Sequence, residues 1–108
     1  MVLGRFGAIA QPGFLVLVAL LDGPVHGYAV GVEIEKMTGR APGPGTLYGA
    51  ISRLERLGLI AALPGEGRRK PYELTAEGEA QARCRIAELE ELARQVSLRL
   101  GQARTAIA

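Results

Sequence analysis

The chain has no tryptophan and only three tyrosines and two phenylalanines, so aromatic rings supply little of any core. Apolar residues still make up 48% of the sequence, mostly Leu, Val, Ile and Ala, a set that suits packed helices. A single cysteine, Cys84, excludes an intramolecular disulfide and points to a reducing compartment. With one histidine besides, His26, there are too few soft ligands for a metal centre, and neither a metal nor another cofactor is expected. The apolar run from Phe14 to Leu21 is eight residues, far too short to span a bilayer. Asp22-Gly23-Pro24 follows it in place of a small-residue cleavage site, so no signal peptide or membrane span is expected and the chain is read as cytoplasmic. Catalytic constellations are missing too. His26 and Tyr28 have no nucleophile or acidic partner at a motif spacing, so His26 reads as a cap or core hydrogen-bonder. Gly43-Pro44-Gly45 lacks the spacing of a phosphate loop. An enzyme is not expected.

A length of 108 residues allows one domain with an appended element, near the size where a lone domain is marginally stable and dimerisation helps. Net charge is only +2, but its distribution is uneven. From Lys36 to Lys70 seven basic residues face two acidic ones, an excess of five, and the rest of the chain carries minus three. A localised phosphate-binding surface needs such a basic middle, although a charge run taken alone is more often a solvated face.

Residues 1–11 read as a loose arm. Pro12 opens a first helix, where its missing N–H costs nothing, and Leu15, Val18 and Leu21 (with Leu17) recur at helical spacing up to Asp22-Gly23-Pro24. This helix is apolar nearly all round and belongs deep in the fold or at a subunit contact, to which Leu15 and Val18 would contribute. A second helix spans about His26 to Thr38, with Val30, Ile34 and Met37 on one side, Glu33, Glu35 and Lys36 facing outward, and Gly39 closing it. The third starts near Gly45-Thr46 and ends at Gly58. Leu47, Ile51 and Leu54 form its inner face with Ala50 and Leu57 beside them; Gly49, Ser52, Arg53 and Arg56 form the outer face, with Tyr48 at the margin.

Leu59–Leu63 then reads as a strand, Pro64-Gly65-Glu66-Gly67 as a turn, and Arg68–Leu74 as a return strand. Pro71 is tolerated because both strands of a two-stranded ribbon are edges. Thr75 is a good N-cap for a last helix over about Ala76–Leu100, on the order of 38 Å long. Ala82, Ile86, Leu89, Ala93, Val96 and Leu100 follow a 4-3-4-3-4 spacing, a heptad seam expected to meet a second subunit. The alternative is that this helix folds back on the first. Cys84 would lie near that contact. The expected architecture is therefore mostly α: a winged helix-turn-helix of three helices and a two-stranded wing over residues 1–75, and a dimerisation helix over 76–108.

In helix-turn-helix proteins the second helix of the motif lies in the major groove, and the third helix of this chain would fill that place. Gly45 and Gly49 permit close approach, Thr46 and Ser52 offer short hydroxyls, and Arg53 and Arg56 can pair with guanine or phosphate. The wing brings Arg68, Arg69 and Lys70 to the adjacent backbone or minor groove. The rival reading is a winged helix that binds proteins instead of DNA, but such a face should carry exposed aromatic or aliphatic anchors.

His26-Gly27-Tyr28, Gly45-Thr46-Leu47-Tyr48, Arg53-Leu54-Glu55-Arg56-Leu57-Gly58-Leu59-Ile60 and Arg69-Lys70-Pro71-Tyr72-Glu73-Leu74-Thr75-Ala76-Glu77-Gly78 occur in this order. Together they resemble the PadR family of bacterial transcriptional regulators, and the single terminal helix is similar to its short subfamily. The resemblance implies a homodimer joined largely through the terminal helix with help from the first. It also implies repression of a promoter at an inverted-repeat operator in double-stranded DNA, and release by a small molecule or other signal. It places Thr46, Tyr48 and the residues around Ser52 and Arg53 as helix contacts, and Arg68–Lys70 in the wing. The chain departs from the family pattern at Ala29, Gly49 and Pro71. It also lacks the terminal-helix tryptophan that some relatives use to stack flat ligands, so a stacking pocket of that kind is not expected.

Overall fold

A computed structural model describes residues 12–107; the expected arm over 1–11 lies outside the described residues. Eight elements follow one another: α1 (Pro12–Ala19), β1 (Val25–His26), α2 (Gly27–Thr38), α3 (Pro44–Arg56), β2 (Ile60–Ala62), a 3-10 turn (Gly67–Arg69), β3 (Pro71–Leu74) and α4 (Ala76–Ile107). The architecture is the mostly helical winged helix that the sequence predicts, with differences that have physical causes.

The core is aliphatic. Val16, Leu17 and Leu20 of the α1 region meet Val30 and Ile34 of α2, Leu47, Ala50, Ile51 and Leu54 of α3, Leu59 and Ile60 beyond it, and Ala82 of α4. Helix α1 touches α2, α3 and α4. The side it buries is not the expected stripe: Leu15 and Val18 are half-buried on a flank, and Leu21 is exposed. A helix without polar residues gives periodicity nothing to orient against, so its inner face is set by its neighbours. In α2 the expected Met37 is 45% exposed, and the inward positions are Gly27, Val30, Gly31 and Ile34. Gly31 is there for closeness: a Cβ on it would stand 3.1 Å from Leu47 Cδ2, so its lack of a side chain lets α2 and α3 pack tightly.

Helix α3 begins with Gly43 as N-cap and Pro44 in its first turn. Its end is a Schellman motif: Gly58 takes φ 75°, its N–H donates to Glu55 O at 3.1 Å, and the Leu59 N–H donates to Leu54 O at 3.0 Å. Leu54 and Leu59 are both buried, as the apolar contact of that motif requires. Leu57, expected beside the inner face, is instead 61% exposed. As the C-cap just past Arg56 it turns outward and borders a hollow between α1, α3 and α4.

The sheet has three strands in the order β1-β3-β2, all antiparallel, and not two. Val25-His26 is too short to show a pattern in the sequence, yet it pairs with Tyr72 and Pro71. Pro71 therefore sits on the central strand, against the expectation of an edge. It is accommodated as the first residue of β3, and its carbonyl accepts from the Leu63 N–H at 2.8 Å. The segment at Arg68 and Arg69 is a 3-10 turn and not the start of the return strand.

Thr75 ties the sheet to α4. Its Oγ1 accepts from the Gly78 N–H at 3.0 Å, capping the helix, and donates to Gly58 O at 2.7 Å. Its own N–H donates to Leu59 O at 3.1 Å. Gly78 is buried directly against the backbone of Leu59, so a Cβ there would overlap the Leu59 carbonyl. Helix α4 then runs 32 residues, about 48 Å at 1.5 Å per residue, passing the expected end at Leu100. The seam is divided along it. Ala82 is fully buried in the chain's own core, Ile86 and Leu89 are half-buried, and Ala93, Val96 and Leu100 are exposed. Contact with α1 is thus real for the first turns only; the remainder projects away, and the molecule extends 61 Å in its long dimension.

Thr75→Ala should cost about 1–2 kcal/mol, read as a lower midpoint of denaturant unfolding, because one substitution removes the helix cap and the bond to Gly58. Gly78→Ala should cost more than that, since the methyl group has no space; equal stability of the two variants would refute the close crossing.

Candidate nucleic-acid interface

The polar side of α3 is open. Thr46, Tyr48, Gly49, Ser52, Arg53 and Arg56 are all exposed, while Leu47, Ala50, Ile51 and Leu54 are buried beneath them. Gly45, Gly49, Ser52 and Arg56 recur at 4-3-4 spacing and form the outer ridge, opposite the buried one. Arg53 and Thr46 stand on one flank of that ridge and Tyr48 on the other. The Arg53 guanidinium leans toward α1, with Nη2 3.8 Å from where a Gly13 Cβ would be, so it does not stand with Arg56. Nothing among the described residues calls for glycine at positions 45 and 49: a Cβ there meets nothing within 4 Å, and neither residue has positive φ. Each lowers helix stability relative to alanine. Without side chains there, the helix backbone is open to close approach from outside.

Tyr48 is only partly free. Its ring lies over Gly27 at the start of α2, so closely that a Cβ on Gly27 would be 2.7 Å from Tyr48 Cε1. Beside it, Tyr28 is 71% exposed on the first turn of α2, and both tyrosines line a hollow of about 280 Å³ with Pro42 and Pro44. The sequence reading set Tyr28 aside with His26 as a pair without catalytic partners and missed it as a surface residue. The first helix of a helix-turn-helix crosses the nucleic-acid backbone, so a tyrosine at its outer start was the available signal.

The wing folds back on the same region. Its 3-10 turn packs against α2, and β1 joins β3 directly to the residue before Gly27. Arg69 is exposed, whereas Lys70 is half-buried with Nζ 5.6 Å from the Tyr72 ring centroid, a cation–π contact that steadies the side chain. Arg68 lies in the 3-10 turn between Gly67 and Arg69.

Some of the cations outside α3 and the wing are paired within their own helices. On α4, Arg83 pairs with Glu79 at 2.9 Å and Arg94 with Glu91 at 2.7 Å, which raises the guanidinium pKa of Arg94 and lowers that of the Glu91 carboxyl. On α2, Lys36 pairs with Glu33 at 3.2 Å. Among the described residues, Arg53, Arg56 and Arg69 have no carboxylate partner. Uncompensated guanidinium groups beside a smooth helix are suited to phosphate oxygens and base edges. No group of three or more metal-ligating side chains occurs among the described residues, and none of their helices is long and apolar enough to cross a membrane.

The family model described as the transcriptional regulator PadR-like family matches residues 16–84. A transcriptional regulator from Clostridium thermocellum shares 28% identity and superposes with a TM-score of 0.70 over 83% of this chain and 94% of its own. A PadR family transcription regulator from Clostridium difficile gives 24% and 0.71 over 83% and 98%. A PadR-like regulator from Bacillus cereus gives 19% and 0.74 over 89% and 96%, a likeness of fold alone. An uncharacterised 37.1 kDa protein in a transposon of Streptomyces fradiae is 52% identical over 64 residues, 59% of this chain; the chain spans about a fifth of that relative's length.

Gly49→Ala should raise thermal stability by about 0.5–1 kcal/mol, because the methyl group meets open space. The same variant should bind duplex DNA more weakly in a gel-shift titration. Unchanged retention would mean that α3 keeps its distance from the groove.

Proposed function

This chain belongs to the PadR-like family of transcriptional regulators, and from that premise we propose that it is a cytoplasmic repressor whose two subunits grip an inverted-repeat operator. It is a DNA-binding regulator and not an enzyme. In the proposed complex, Thr46, Gly49, Ser52 and Arg56 of α3 face the major groove, and Arg53 reaches phosphate from the α1 flank. Arg68, Arg69 and Lys70 hold the backbone or minor groove beside them, and Tyr28 and Tyr48 border the surface. The observation that carries this reading is the exposure of Arg53, Arg56 and Arg69 on α3 and the wing without a carboxylate partner among the described residues, whereas Arg83 and Arg94 of α4 pair with glutamates of their own helix. The division between residues 1–75, which read the operator, and 76–108, which pair the subunits, is part of the same proposal.

Dimerisation is supported by the second half of α4. Val96 and Leu100 are 51% and 53% exposed on the same heptad seam as the exposed Ala93; the half-buried Ile86 and Leu89 continue it toward the domain, and Leu15 and Val18 are half-covered on α1. A long helix that leaves such a stripe in water calls for a second copy of itself. Release by a small-molecule signal is supported by the hollow of about 480 Å³ between α1, α3 and α4, of ligand size, which has Arg53 on its wall.

Arg56→Glu and Arg69→Glu should each lower operator affinity by on the order of tenfold or more and flatten its salt dependence, without altering the sedimentation of the dimer. Loss of a protein partner with intact DNA retention would favour the protein-binding alternative. Val96→Asp with Leu100→Asp should yield a monomer by sedimentation and abolish cooperative binding to two half-sites about 34–36 Å apart. A footprint over one asymmetric half-site would contradict the twofold arrangement.

A further inference from the structure

We infer that Tyr48 is a strut that fixes the spacing between the recognition helix and the wing, and that it acts through Gly27 and not by reading a base. The inference rests on the reading of α3 and the wing as a DNA-binding surface. Gly27 is buried as the first residue of α2, and the Tyr48 ring occupies the space where any other side chain would begin: a Cβ there would lie 2.7 Å from Cε1, 3.3 Å from Cζ and 3.2 Å from the phenol oxygen. The residue before Gly27 is His26 of β1, whose register partner in β3 is Pro71. Pro71 in turn follows Lys70 and the 3-10 turn that carries Arg69. From the α3 flank to the wing cations the path is ring on backbone, peptide bond, strand pairing, peptide bond.

Close contacts recur along that path. The 3-10 turn packs on α2. The loop before it is drawn so tight that a Cβ on Gly65 would stand 2.9 Å from both Lys70 Cα and Pro71 Cδ. Lys70 is held over Tyr72, which is the partner of Val25 in β1. A flat, rigid ring is a suitable spacer: its thickness does not change with rotamer, whereas an arginine or leucine would let the two elements settle. Two DNA contacts made by separate elements must keep a separation that matches groove and phosphate, and small displacements of either lose contacts at the other.

The test uses the full-length chain and a duplex selected by it from a random-sequence pool, with Tyr48→Phe, Tyr48→Ala, Gly27→Ala and the double variant Gly27→Ala/Tyr48→Ala. Circular dichroism establishes that each is folded, and hydroxyl-radical footprinting reads the contacts. Phenylalanine keeps the ring, so Tyr48→Phe should bind within about twofold of the wild type and with the same sequence preference. Tyr48→Ala and Gly27→Ala should each bind at least about tenfold more weakly. They should keep the major-groove protection but lose the wing's, with a salt slope shallower by about one to two. The double variant should be no weaker than Tyr48→Ala, since both changes break one contact. If Gly27→Ala does not fold, the footprints of Tyr48→Ala and Tyr48→Phe decide alone. Loss of binding by Tyr48→Phe equal to that of Tyr48→Ala, or retained wing protection in Tyr48→Ala, overturns the strut. A wild-type chain that selects and protects no duplex overturns the DNA-binding reading, and the strut with it.

Discussion

One backbone crossing positions the rest of this protein. The chain leaves α3 through Gly58 and Leu59, and returns beside them at Thr75 and Gly78 to begin α4. Thr75 bonds to the carbonyls of Gly58 and Leu59, and Gly78 has no side chain, so the start of α4 is pinned onto the end of α3 at van der Waals distance. The directions of α3 and α4 are thereby fixed relative to each other. Were the chain to pair through α4 and read DNA with α3, as proposed, that angle would set where the second recognition helix falls. The Schellman end at Gly58 serves the same geometry, since a helix running one turn further would carry Leu59 away from its place over Leu54.

Helix α1 explains why so small a chain can hold this arrangement. It is eight residues without a charge, and it is wedged against α2, α3 and α4 at once. Burying Val16, Leu17 and Leu20 completely contributes on the order of 1.5–3 kcal/mol for each side chain, a large share of what a domain of this size has in reserve. The same helix was the least legible in detail. Its existence follows from Pro12 and the apolar spacing, but it stops at Ala19, short of the expected end at Asp22-Gly23-Pro24, and its inner face was not legible because every side chain was a candidate for burial. The inner face of α3 was legible because Ser52, Arg53 and Arg56 alternate with Leu47, Ile51 and Leu54 and define a side. The exception, Leu57, sits at the C-cap, where the helical wheel no longer applies.

Other features escaped the sequence for reasons that can be stated. Strand β1 is two residues long, and period-two alternation needs more than that; it exists because β3 offers it an edge. The close packing of α2 on α3 rests on Gly27 and Gly31, and a reading that scores apolar side chains cannot see a contact made by their absence. Met37 was counted for its chemistry and lies outside for its geometry. The outer face of α3 and the wing were legible as a constellation, since glycines, short hydroxyls and cations are unusual together. The lean of Arg53 toward α1 and the stacking of Lys70 on Tyr72 were not, because both depend on which rotamer the surrounding packing leaves available.

Under the proposed pairing, the projecting half of α4 would link stability to DNA binding. Its apolar positions Ala93, Val96 and Leu100 find no cover among the described residues, and that half of the helix carries local interactions such as the exposed Arg94–Glu91 pair, which contributes little. Pairing with a second copy would bury the stripe and stiffen the helix in one step. Because α4 is pinned to α3, stiffening it would also fix the separation of the two recognition surfaces. A monomer would then bind one half-site with a handful of phosphate contacts, whereas a dimer presents the second surface at high effective concentration. Under this arrangement, subunit concentration governs both folding stability and operator occupancy. Any signal that shifts one α4 against its partner in such a dimer would act on the operator without touching a DNA-facing side chain.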